Sequence, residues 1–260
     1  MTYEDLPAEL TVECDGPVRI VRLDRPAELN AVNRSLHWAL ANVWQRLARD
    51  PEAKAVILTG AGRAFSAGGD LGWITSFLDD PVARDESLRE GAQIIEEMLR
   101  FPLPVIAAVN GPAVGLGCSV ALLCDVVLIS ETAHLADPHV AVGLVAGDGG
   151  AALWPLLTLL LRSREYLYTG DHIPAAKAVE LGLATRTTAP EDLLPEARRL
   201  AARFAAQPAE ALRGTKQVVT MYLSQALAGP VQAGLAAEAA TMRSPEHRAR
   251  LLALADKAGP

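Results

Sequence analysis

Two short stretches of this chain have the residue types that can hold a reacting carbonyl: Ala64-Phe65-Ser66-Ala67-Gly68-Gly69-Asp70 and Gly115-Leu116-Gly117-Cys118. Each follows a β-branched apolar run, Ala55-Val56-Ile57-Leu58 and Val105-Ile106-Ala107-Ala108-Val109, so each reads as a strand entering a glycine loop. Residues without large side chains let a ligand carbonyl come close to the backbone. Two such loops can each aim one N–H at the same oxygen, which makes an oxyanion hole out of main chain. The chemistry expected of such a hole is that of an enzyme working on carbonyl or thioester substrates.

The elements that must position these loops are legible in outline. Leu10 to Cys14 and Val18 to Leu23 flank Asp15-Gly16-Pro17 and read as a hairpin. Asn33 or Ser35 can cap a helix running to about Arg49, with Leu36, Leu40, Val43, Trp44 and Leu47 at helical spacing. A polar segment, Asp79 to Asp85, is expected to precede a second helix through about Arg100, stopped by Phe101-Pro102-Leu103-Pro104. Ser119 to Leu123 reads as a short helix and Asp125 to Ile129 as a strand. The recurring order of strand, glycine loop, helix and strand says α/β with short connections. From about Ala151 onward the pattern is mostly helical, with amphipathic segments at 174–182, 192–206, 208–227 and 231–256.

Composition narrows the function classes. Of 260 residues, 50% are hydrophobic and 21% charged, enough for a large core in a globular protein. A formal charge of −7 argues against general nucleic-acid binding, which needs a basic face. Cys14, Cys118 and Cys124 show no metal-ligand spacing and read as thiols in a reducing cytoplasm. The acidic N-terminal stretch has no apolar signal core, and the apolar run Ala151 to Leu161 is too short to span a bilayer. The expectation is a cytoplasmic protein with no membrane or nucleic-acid partner.

The chain resembles the crotonase (enoyl-CoA hydratase/isomerase) superfamily. The matching segments are Asp24-Arg25-Pro26 with Asn30-Ala31, the two glycine loops, Pro104 through Gly117, Leu123-Cys124-Asp125, and Leu167 through Asp171 with Ala178 and Gly182-Leu183. The resemblance implies a crotonase-like spiral of ββα units over 1–195 and a helical trimerisation region over 196–260. It implies a homotrimer or dimer of trimers, with acyl-CoA thioesters as substrates and no cofactor beyond the coenzyme A of the substrate. The oxyanion donors it implies are the N–H groups of Gly69 and Leu116, the latter near the start of a short helix. The substrate-binding residues it implies are Arg25, Ala27, Leu29, Ala64, Ala67, Gly68, Asp70, Leu71, Ser119 and Lys216, with Arg25 and Lys216 as candidates for the phosphates. Trp73, Ile74, Phe77, Leu78 and Leu144 are the expected acyl-pocket lining.

The departures from the pattern matter as much. Typical hydratases of the superfamily use two glutamates, and their positions are taken here by Ser119 and His139. His139 with Asp148 offers a replacement, because an imidazole suits proton transfer near neutral pH and a carboxylate can orient it. The leading expectation is an enoyl-CoA hydratase/isomerase-like enzyme that stabilises a thioester enolate and moves its proton with His139 and Asp148. C–C hydrolases of the superfamily that cleave β-diketones pair a His and an Asp in the same way, so retro-Claisen hydrolysis of a β-keto thioester or β-diketone is an alternative. A non-catalytic acyl-CoA binding protein is another. Asp70 and Asp125 read as structural, as do His37 and His134. Glu97 and Glu238 sit on helices where exposure is the default, although either can reach a site across a packed interface.

Overall fold

The computed structural model describes residues 3–258. Strand β1 (Leu10–Asp15) pairs antiparallel with β2 (Val18–Leu23), and Gly16 takes φ +55° in the turn between them. Helix α1 (Arg34–Ala48) starts where the Asn33 side chain accepts the Leu36 N–H, and β3 (Ala55–Gly60) follows. Helices α2 (Leu71–Ser76) and α3 (Pro81–Arg100), each capped by an aspartate, lead to β4 (Val105–Val109). Then come β5 (Ala113–Val114), α4 (Leu116–Leu122), β6 (Val126–Ser130) and β7 (His134–Ala136). The chain continues through α5 (Gly150–Leu157), α6 (Leu160–Thr169), β8 (Ile173–Pro174), α7 (Ala175–Leu181) and β9 (Arg186–Thr188). Helices α8 (Leu193–Ala205), α9 (Ala209–Thr241) and α10 (Pro245–Ala258) close it.

Six strands form one sheet in the order β1-β2-β3-β4-β6-β9, parallel throughout except for the first hairpin. A small second sheet joins β5, β7 and β8. Every residue of β3 and β4 is buried, as interior parallel strands covered on both faces require. Alternation divides the side chains cleanly. Ile20, Ile57, Ile106 and Leu128 meet α8 through Leu193, Ala197 and Ala201, whereas Val21, Leu58, Val109 and Ile129 join the larger core with α1, α3 and α4. The small residues along α8 let it lie close on the sheet. The position 195/196 therefore falls within a helix that forms a layer of the core.

One expected break is absent. Helix α9 passes through Pro230, and the chain turns only at Met242 to Ser244. Pro230 is exposed, so water can take the carbonyl that its missing N–H leaves free. No helix of the described residues is long and apolar enough to cross a membrane.

Asn30 is the pin between this frame and the first glycine loop. Fully buried at φ +55°, it accepts the Arg25 N–H and donates to the carbonyls of Ala61 and Ala64, each at 2.8 Å. Its own carbonyl accepts the Ser66 hydroxyl. Asn30→Ala orphans buried main-chain groups and is expected to cost about 3 kcal/mol in urea unfolding. A loss below about 1 kcal/mol would show that the loop is held elsewhere.

Candidate active site

The two glycine loops run in backbone contact. Ser66 bridges Ala113 and Val32 bridges Gly69, both in parallel sense, and the Val114 N–H donates to the Ser66 carbonyl at 2.9 Å. Gly68, at φ +89°, takes a backbone shape that L side chains rarely adopt. A Cβ on Gly117 would sit 2.6 Å from the Ser66 Cβ, so only glycine lets α4 seat against the first loop. The Gly69 N–H makes no hydrogen bond among the described residues. Nor does the Leu116 N–H, which as the first of α4 has no acceptor within its helix.

Both residues line a cavity of about 510 Å³. Its polar wall includes His139, Asp148 and Glu238, and its apolar walls include Trp73, Ile74 and Phe77 around α2 and Leu251 and Leu254 from α10. Helix α10 is held over the single turn His139–Val142 by His247, whose Nδ1 lies 2.7 Å from the Val142 carbonyl oxygen. Of the expected acyl lining, Trp73, Ile74, Phe77 and Leu144 are in the wall and Leu78 is not.

The polar wall is a chain of charges. His139 Nδ1 lies 2.5 Å from Asp137 Oδ1, and its Nε2 lies 3.5 Å from Asp148 Oδ2. Asp137 is buried at the end of β7, two residues before the imidazole that it orients. Asp148 stands in the glycine loop before α5, and its Oδ1 is buried with no partner. Gly147 and Gly234 pack backbone to backbone, which brings α9 against that loop. A Cβ on Gly147 would lie 2.7 Å from Glu238 Oε2, itself buried and unpartnered.

Burial opposes a charge on His139, but Asp148 and Asp137 outweigh it and raise the imidazole well above its ordinary range. Burial also raises Glu238, reinforced by Asp148, so that its carboxyl titrates at about 8. The wall thus holds a charged imidazole and a protonated acid beside two open N–H groups, a combination suited to moving protons next to a developing oxyanion. Asp137, His139 and Asp148 also offer ligand atoms within 4.8 Å of one another, enough for three donors to a metal ion.

The remaining residues singled out from sequence divide into two groups. Ala67, Gly68 and Leu71 line the cavity, and Asp70 caps α2 while pairing with Arg25 at 3.1 Å. Arg25 also donates to the Ala31 carbonyl, so its guanidinium braces the loop. Leu29 and Ala64 act through main chain, accepting from Ala67 N–H and Asn30, while Ala27 is exposed. Ser119 is buried on α4 and is not part of the cavity wall. Lys216 lies outside that wall too, donating to the Leu103 carbonyl and Asp125 at 2.7 Å each.

Glu238 is the residue that default exposure misplaces: it is 4% exposed. A lone acid on an alanine-rich stretch, with Gly234 one turn before it, was the available signal. His37 is likewise more than a core residue, since its ring lines the cavity.

The profile described as enoyl-CoA hydratase/isomerase matches residues 13–257. An enoyl-CoA hydratase/isomerase from Mycobacterium paratuberculosis superposes with a TM-score of 0.93 at 46% identity, covering 96% of this chain and 99% of that one. The crotonyl-CoA hydratase of Syntrophomonas wolfei is 31% identical over 217 residues, 83% of this chain and 81% of its own length. A monofunctional enoyl-CoA isomerase from M. smegmatis gives a TM-score of 0.72 at 29% identity, covering 87% of this chain and 99% of that one. On its fold and on the extent of these matches, the chain belongs to the enoyl-CoA hydratase/isomerase family of the crotonase superfamily.

Proposed function

We propose that the protein is an acyl-CoA enzyme of hydratase/isomerase type whose proton-moving group is His139. The observation that carries this reading is the placement of a carboxylate-flanked imidazole in the same cavity wall as the unpaired N–H groups of Gly69 and Leu116. The thioester oxygen sits between those two N–H groups. Each donor aimed there stabilises the enolate-like transition state by roughly 3–4 kcal/mol. The thioester itself is the electron sink, so the reaction asks for no redox group.

In hydration, the Asp148 carboxylate accepts a proton from water as that water adds to Cβ. His139, held protonated by Asp137 and Asp148, gives its proton to Cα of the enolate. In double-bond migration from β,γ to α,β, the Asp148 carboxylate takes a proton from Cα, the electron pair passes into a dienolate held by the two N–H groups, and protonated His139 gives its proton to Cγ. The exposed apolar residues Val218, Val219, Met221 and Tyr222 on α9 support assembly as a homotrimer or dimer of trimers.

The cluster also favours a second reading, C–C hydrolysis of a β-keto thioester. Where hydratases of the superfamily carry two glutamates this chain has Ser119 and His139, and its third carboxyl, Glu238, comes from α9. Water would add to the β-keto carbon, the bond to Cα would break, and its electron pair would pass into a thioester enolate held by the same two N–H groups. His139 then protonates Cα. The products are a carboxylic acid and a shorter acyl-CoA.

Turnover of crotonyl-CoA and of acetoacetyl-CoA, followed by product analysis, separates the two reactions. His139→Ala is expected to lower the active one by about 10²–10⁴-fold. A variant within a factor of about two of wild type would remove His139 from the chemistry. Binding of both thioesters with neither turned over would make the protein a non-catalytic acyl-CoA binder.

Glu238 gives a pH signature. Its folded value of about 8 stands above the ordinary 4.5, so the folded state keeps a proton that the unfolded chain has lost between those values. The stability linked to this group is intact below pH 4.5 and is lost as pH rises through about 8. Glu238→Gln removes that dependence, and its Tm relative to wild type should rise from pH 5 to pH 9. A constant difference across that range would mean that Glu238 ionises normally.

A further inference from the structure

The cavity has a second polar feature, and neither the enolate chemistry nor the His139 cluster uses it. His37 projects from α1 into the wall, only 5% exposed, and its Nδ1 lies 2.6 Å from Glu90 Oε2 on α3. A carboxylate there accepts the Nδ1–H, which leaves Nε2 as the free ring nitrogen. Among the described residues Nε2 has no hydrogen-bond partner.

The Trp73 ring lies beside it, with centroids 5.1 Å apart, and Phe77 packs on the far side of Trp73 at 4.9 Å. Trp73 also lines the cavity, and its Nε1–H is buried with no acceptor. A buried indole N–H left unmet costs free energy unless a ligand supplies the acceptor. Gly91, one residue after Glu90, belongs to the same wall, and a Cβ built there would meet nothing within 4 Å. That glycine leaves open space beside the His37–Glu90 pair.

We propose that His37 and Trp73 form a polar subsite for the acyl group, and that the substrate class is a thioester whose acyl chain carries a hydroxyl group away from the reacting carbons. The chemistry selects this group. A hydroxyl can donate to Nε2 or accept from it, and the same oxygen accepts from the indole N–H. A methyl terminus satisfies neither partner. The pair then discriminates, because a chain lacking the hydroxyl leaves the buried indole N–H unpaired. Glu90 is a positioning residue, fixing which nitrogen of His37 faces the ligand.

This inference rests on the reading of the cavity as a thioester site, and binding to non-reacting probes separates the two. Saturated acyl-CoA thioesters from butanoyl to decanoyl, and the ω-hydroxy counterpart of each, are titrated calorimetrically into wild type, His37→Phe and Trp73→Phe. The expected result is an ω-hydroxy preference of about five- to tenfold at the best-fitting chain length. Trp73→Phe, which keeps an aromatic ring and removes only the N–H, should cut that preference by several-fold. His37→Phe should abolish it while the methyl-terminated series still binds.

Equal affinity for hydroxyl and methyl termini at every length would overturn the subsite while leaving the thioester site intact. So would an unchanged preference in Trp73→Phe and His37→Phe. Failure of every acyl-CoA to bind wild type would remove the thioester reading and the subsite with it. If His37→Phe does not fold, the Trp73→Phe ratio decides alone.

Discussion

Two segments of main chain, one following β3 and one following β4, have to run past each other at backbone contact distance. The parallel pairing of those strands brings their ends to the same edge of the sheet, and the bridges at Ser66–Ala113 and Val32–Gly69 fix the approach. Side chains would prevent it: a Cβ on Gly111 would lie 2.1 Å from the Arg63 carbonyl oxygen, and one on Gly117 would strike Ser66. What the contact leaves open is a peptide N–H on each side, at Gly69 and Leu116. Because these donors belong to a bonded framework, they need no reorganisation when charge develops on a bound oxygen. The neighbouring ties, Asn30 to Ala61 and Ala64 and Arg25 to Asp70, brace that framework from the hairpin side.

Beside this neutral framework the protein concentrates charge. Asp137 and Asp148 bracket one imidazole, and Glu238 arrives from a helix distant in sequence. Their burial makes each proton position depend on the others. Burial, reinforced by the neighbouring carboxylates, raises the Glu238 carboxyl, and the same carboxylates raise His139 against its own burial. A proton can therefore be stored on either group at neutral pH. Leu251 and Leu254 from α10 and Ile74 from α2 add apolar surface to the same cavity.

Local pattern made the frame readable. The strands around Val56 and Ile106 are fully buried parallel strands, and continuous apolar runs announce those directly. The glycine loops were readable because close approach demands a residue type. His139 and Asp148, paired in the sequence on the family resemblance, lie 3.5 Å apart. Contacts between remote elements were not legible. Glu238 looks like one more exposed acid on an amphipathic helix until the Gly147–Gly234 contact is known. His37 looks like a core histidine until α2 and α3 are folded around it. Arg25 and Lys216 show the converse: isolated basic residues suggested phosphate contacts, yet each has an acidic partner within its own chain. The expected break between residues 227 and 231 does not occur, because an exposed helix turn at Pro230 tolerates the loss of one hydrogen bond.

The proposed chemistry has this cavity form a thioester enolate whose proton His139 handles. The most direct measurement is exchange of the Cα hydrogens of a saturated acyl-CoA with deuterated water, read by mass spectrometry, since it needs neither hydration nor cleavage to occur. Deuterium is expected at Cα with wild-type protein, and exchange at the uncatalysed rate with His139→Ala. Tight binding of the thioester with no exchange above background, or equal exchange in the His139→Ala variant, would contradict that chemistry.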